Sequence, residues 1–145
     1  MNKTRVPKHL KRRLLVPPPK EITITPKLLA FNFKQMDYSQ GQSATDWAKE
    51  DLLGPLIERL RGLSSMTLEE AKNSGSNVFN YYDTFPPADR TDFSYPHHIS
   101  RDAAWCGFHV SGRVCVIGHL VDDHVVYLVF LDKDHRFWIV DKKNT

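Results

Sequence analysis

Arg113, Asp132 and His135 have side chains suited to phosphate and proton chemistry, and the pattern of apolar residues around them predicts that they meet. Apolar runs over residues 104–110, 113–120, 124–131 and 135–140 read as four strands, separated by Ser111-Gly112, Asp122-Asp123 and Lys133-Asp134. Two-residue gaps of this composition suit tight hairpins, so the four runs are expected to form an antiparallel meander. In that register Val110 pairs with Arg113, Arg113 lies across from Asp132, and Asp132 pairs with His135. Side chains alternate faces with period two, which puts the three on one face at one sheet edge. An Arg there would hold a phosphate, and an imidazole, which exchanges protons near neutral pH, would act as acid or base. The plain alternative is a cross-strand salt bridge, contributing about 0–1 kcal/mol if exposed. The same register places His109 and Tyr127 on the opposite face among valines.

Other chemistries find less support in the spacing. Seven histidines include His97, His98, His109, His119, His124 and His135, but none is spaced as in the paired C-x-x-C or H-E-x-x-H zinc patterns, so no metal is expected. No Gly-x-Ser-x-Gly elbow, phosphate-binding Gly-rich loop or dinucleotide fingerprint is present, and no cofactor is expected. Cys106 and Cys115 sit in apolar strand-like surroundings and read as small buried hydrophobes.

The elements that must position these groups are legible in outline. Leu28-Leu29-Ala30-Phe31-Asn32-Phe33 and Ile22-Thr23-Ile24 read as one or two N-terminal strands broken at Pro26. Trp47, Leu52, Leu53, Leu56, Ile57, Leu60 and Leu63 have helical spacing behind Ser43 or Thr45 as N-cap, with a kink or restart predicted at Gly54-Pro55. Thr67-Leu68-Glu69-Glu70 has capping-box spacing and starts a short second helix over residues 68–73, making a helical hairpin. Residues 74–100 lose periodicity and gather Asn, Pro, Tyr and His, including Tyr82 and Tyr95-Pro96-His97-His98. A loop of that length in a compact domain is usually functional.

At 145 residues and 41% hydrophobic content the chain suits one α+β domain. Its net charge of +3 is unevenly spread: residues 1–20 hold seven bases, among them Lys11, Arg12 and Arg13, and no acid. The remainder carries thirteen bases against seventeen acids. Residues 1–20 therefore read as a basic arm, ended by Pro17-Pro18-Pro19 as a semi-rigid spacer, and residues 21–145 as the domain. Such an arm suits a phosphate backbone or an acidic partner. No apolar run is long enough to span a bilayer, so no membrane partner and a cytoplasmic location are expected.

The order of strand, helical hairpin and C-terminal meander with basic residues near its last hairpins resembles the RelE/ParE-type toxin superfamily. The segments Phe108-His109-Val110-Ser111-Gly112-Arg113-Val114 and Val126 through His135 also resemble small proteins of bacterial mobile elements, a likeness that extends over residues 28–138 but implies no activity. The toxin resemblance implies metal-free endoribonuclease action on messenger RNA at the ribosome, and control by a cognate antitoxin protein. It implies Arg113 and Arg136 on phosphate and His135 as acid or base, with His98 or Tyr82 as auxiliaries from the loop. The mildly acidic body departs from the more basic pattern of that superfamily. The competing expectation is a non-catalytic phage or mobile-element protein that binds a protein or nucleic acid through its arm and aromatic loop.

Overall fold

A computed structural model describes residues 25–140. Lys11, Arg12 and Arg13 of the basic arm, and the predicted strand at Ile22-Thr23-Ile24, lie outside the described residues. The chain forms β1 (Ala30–Asn32), helices α1 (Ala44–Lys49), α2 (Leu53–Leu63) and α3 (Leu68–Lys72), then β2 (Phe79–Asp83), β3 (Ala104–Ser111), β4 (Val114–Val121) and β5 (Val125–Asp132). The α+β expectation holds in this form: three helices and one mixed sheet of five strands, ordered β1-β5-β4-β3-β2. β1 runs parallel to β5, and the other neighbours are antiparallel. Among the described residues no helix is long and apolar enough to cross a membrane.

The helices start where the capping chemistry places them. Ser43 and Asp46 form a reciprocal capping box on α1, and Thr67 and Glu70 form another on α3. The single kinked helix predicted over residues 44–63 is instead two helices. The break comes at Asp51, whose backbone is left-handed (φ 57°), and Pro55 falls in the first turn of α2, where its missing N–H has no intrahelical partner to lose.

Both sheet faces are covered. Cys106, Phe108, Val110, Val116, Val126 and Leu128 face the helices, packing with Trp47, Leu56, Leu60 and Leu63. Trp105, Ile117 and Phe130 face the other way, under Phe93, Ile99 and Phe137 from the connecting loop and the C-terminal tail.

The fourth meander strand, predicted over residues 135–140, does not form. The open edge of β5 is already taken by the N-terminal segment: Ala30–Asn32 pairs with residues 125–127, Asp37 N–H donates to Val129 O at 2.7 Å, and Gln42 N–H donates to Leu131 O at 3.0 Å. Gly41 permits that approach, since its φ is +75° and a Cβ there would lie 2.2 Å from Leu131 O. The tail instead turns onto the loop-covered face, where Asp92 N–H donates to Arg136 O and Ile139 N–H to Arg90 O. Phe137, fully buried, lies edge-on to Phe85 with ring centroids 5.2 Å apart. The place beside β3 goes to β2, a strand inside the segment expected to be loop.

Candidate functional site

The turn between β3 and β4 is centred on Gly112-Arg113, with Ser111 opposite Val114, one residue later than predicted. A bulge at Val110 takes up the difference. A one-residue slip exchanges the faces of a strand, and here it brings His109 to the face where His135 lies. Asp132 pairs with Cys115, and Arg113 sits in the turn, its Nη2 donating to Asp134 O at 3.1 Å. Arg113, Asp132, His135 and Arg136 do come together, but without the cross-strand pairing expected of the first three.

Asp132 is almost wholly buried, with 1% of its surface exposed. Its two carboxylate oxygens accept the backbone N–H groups of Arg136 and Phe137, each at 2.8 Å, and Cys115 Sγ approaches Oδ2 at 3.7 Å. Burial raises its pKa above the usual carboxylate range, against the lowering effect of those donors. Its role is to fold the tail back after β5, which leaves His135 in a left-handed conformation (φ 60°). Burial likewise pushes the Cys115 thiol upward, so it remains a protonated donor beside the carboxylate.

His109 is fixed from three directions. Its N–H donates to Val78 O at 2.9 Å, its carbonyl accepts from Arg59 Nε at 2.7 Å, and its ring Nδ1 lies 2.7 Å from Gly112 O. A carbonyl only accepts, so in the neutral ring Nδ1 carries the proton and Nε2 is left as the basic atom. The His135 ring lies 5.3 Å from the His109 ring, centroid to centroid, inclined at 41°.

His135 separates two clefts. One, about 270 Å3, is lined by Asn77, Asn80, Tyr82, His109, His135 and Trp138. The Tyr82 and Trp138 rings stack there at 5.0 Å and 14°. Gly107 makes room for Tyr82: a Cβ on it would come 3.3 Å from the Tyr82 ring. The other cleft, about 290 Å3, is lined by Arg113, Asp134, His135, Arg136, Ile139 and Val140. Arg136 is committed to Asp92, Nε to Oδ2 at 2.5 Å, whereas the guanidinium of Arg113 donates to a backbone carbonyl and, among the described residues, forms no ion pair. Arg113 therefore carries the larger uncompensated charge.

His98 and Tyr127 belong to the other end of the same face. His98 Nε2 bonds Gln35 O at 2.8 Å, and Gln35 Oε1 bonds His119 Nε2 at 2.6 Å. His119 stacks on Tyr127, with centroids 5.7 Å apart. His119 is four residues along β4 from Cys115, which pairs with His109, so the two ends are roughly 13 Å apart at about 3.3 Å per residue. Burial lowers the pKa of His119 and favours its neutral form.

No family model, curated protein or solved structure matches the chain. The site is therefore read from its own geometry. That geometry adds His109, Trp138, Asn77 and Asn80 to Tyr82, Arg113, His135 and Arg136. A signal for the first was present: Gly112-Arg113 is as good a turn centre as Ser111-Gly112, and choosing it changes the face assigned to His109. Among the described residues no group of three or more His, Cys, Asp or Glu is placed to hold a metal ion.

Proposed function

We propose that the protein is a metal-free endoribonuclease of the RelE-like kind, acting on messenger RNA with His109 and His135 as its proton-transfer pair. The observation that carries this reading is the His109 ring, held by Gly112 O through Nδ1 so that Nε2 is its basic atom, 5.3 Å from the His135 ring. Two imidazoles at that separation can each reach an oxygen of one bound phosphodiester, since proton transfer needs only about 2.6–3.2 Å between heavy atoms.

In this mechanism His109 Nε2 takes the proton of a ribose 2′-hydroxyl. The 2′-oxygen bonds to phosphorus, and the extra negative charge on the phosphoryl oxygens is stabilised by Arg113. His135, entering protonated, gives its proton to the departing 5′-oxygen. The bond to that oxygen breaks, leaving a 2′,3′-cyclic phosphate and a 5′-hydroxyl. Arg136, neutralised by Asp92, helps to orient the strand. The body holds more acids than bases outside residues 1–20, so those residues supply most of the sequence-independent attraction to the phosphate backbone. A cognate antitoxin would act by covering the cleft.

Purified protein incubated with translating ribosomes tests the reading. The expected result is cut message with 5′-hydroxyl ends, reduced about 10²- to 10⁴-fold in His109→Ala or His135→Ala. Intact message at high protein, or cutting unchanged in His135→Ala, overturns it, and binding without cutting points to a non-catalytic RNA-binding protein.

A further inference from the structure

We infer that the cleft between β2 and the C-terminal tail is a reading pocket for one unpaired nucleobase, with Tyr82 and Trp138 as its stacking wall and Asn77 and Asn80 as its polar edge. This rests on the phosphodiester reading above and adds the residues that choose where the strand is engaged. Three features of the cleft converge on a flat heterocycle. The Tyr82–Trp138 stack provides an aromatic surface, and every base has a face that stacks on one. At about 270 Å3 the space lies just below the roughly 300–1,000 Å3 of drug-sized ligand sites, a size that suits one nucleoside and not a base pair. The polar atoms left over are those a base edge needs. Asn80 Nδ2 is used on Ser76 O at 2.9 Å, which leaves its Oδ1 as an acceptor, and the amide of Asn77 has no protein partner among the described residues.

An acceptor at that edge favours bases bearing an exocyclic amine over uracil, and among those bases the purines, adenine included, give a broader stack than cytosine. His135 lines this cleft and the arginine-lined one alike. A base seated against Trp138 therefore places its own phosphate toward Arg113. A duplex is excluded because both faces and the pairing edge of each base are already occupied.

The protein carries its own reporter. Trp47 and Trp105 are fully buried and Trp138 is half-buried, so quenching by a ligand in the cleft is dominated by Trp138. The full chain is titrated with 2′-O-methyl oligoadenylate, 2′-O-methyl oligouridylate and the duplex of the two, all lacking the attacking hydroxyl, while anisotropy of labelled strands gives affinities. The expected result is saturable quenching by oligoadenylate, weaker binding of oligouridylate and none of the duplex. Trp138→Leu weakens oligoadenylate binding about tenfold, and Asn80→Ala narrows the preference over oligouridylate. Asn77 is exposed, so Asn77→Ala provides a variant that folds and still weakens binding. Equal affinity for single strand and duplex, or Trp138→Leu and Asn77→Ala both binding as the wild type, overturns the inference. Cleavage of unmodified RNA is scored separately. Cutting that persists without Trp138 quenching overturns the pocket alone, and quenching without cutting overturns the phosphodiester reading alone.

Discussion

The loop-covered face of the sheet ends in two histidine pairs that look alike in composition and differ in how their ring nitrogens are used. At one end His98 and His119 share a single glutamine, Gln35, which accepts from the first with its backbone carbonyl and from the second with its side chain. At the other end His109 likewise spends one ring nitrogen, Nδ1 on Gly112 O, but among the described residues His135 hydrogen-bonds through neither, and it faces the clefts on either side of it. The larger groove, about 650 Å3, is the one beside His98, yet several of its polar groups bond each other: Asp37 with Ser39, and Gln40 with Ser94 in both directions. The difference teaches that residue type and cavity size do not by themselves tell the two ends apart; a ring bonded at neither nitrogen, that of His135, does.

The largest effect that separates the two ends is on RNA cleavage. His109→Ala and His135→Ala are each expected to lower it about 10²- to 10⁴-fold, and His98→Ala to leave it within about twofold; an equal loss in His98→Ala breaks the comparison. Next in size is the stability held by Asp132. Replacing it with Ala strands the buried N–H of Phe137, at a cost of about 1–3 kcal/mol, and frees the part-buried N–H of Arg136, a loss measurable by urea unfolding. Its pKa is raised in the fold by burial, so the native state binds more protons than the unfolded one as pH rises past the ordinary carboxylate value. The advantage of the wild type over Asp132→Asn is therefore greatest on the acid side and shrinks as pH rises through the folded pKa. An advantage that grows with pH contradicts the assignment.

The structural histidine pair has the opposite pH signature. His119 has its pKa lowered from 6.5 by burial, so its contribution is present above 6.5 and is lost as pH falls through the lowered value. Wild-type stability should therefore decline relative to His119→Gln as the solution is acidified below 6.5, and parallel curves would show that burial does not govern this ring. The smallest effect belongs to the half-exposed Arg136–Asp92 pair. Arg136→Ala is expected to cost no more than about 1 kcal/mol of stability and to reduce RNA affinity less than Arg113→Ala does.

Much of the fold was readable because the reasons are local. The valine-rich runs became β3, β4 and β5 within a residue or two, and both capping boxes formed where their spacing placed them. What escaped was non-local. The apolar alternation of Phe137 and Ile139 mimics a strand, but whether it joins the sheet depends on the edge of β5, and residues 30–42 hold that edge. β2 was hidden in a segment rich in turn formers, although its order Phe79-Asn80-Tyr81-Tyr82 sends Phe79 to the helix-side core and Tyr82 toward the loop-side core. The candidate site was half legible: Tyr82, Arg113, His135 and Arg136, which line its clefts, were in view, whereas His109 was assigned to the wrong face by a one-residue turn shift. Asp132, read as a charge partner, is a buried cap on the tail, a distinction only burial reveals.

The central claim, that the working end is the one whose histidine pair includes a ring, that of His135, hydrogen-bonded at neither nitrogen among the described residues, is tested most directly by ¹⁵N spectra of the histidine rings with and without a 2′-O-methyl oligoadenylate. The account predicts a neutral His109 protonated on Nδ1, and ligand-dependent shifts at His109 and His135 while His98 and His119 stay fixed. Shifts confined to His98 and His119, or a His109 protonated on Nε2 when neutral, would contradict it.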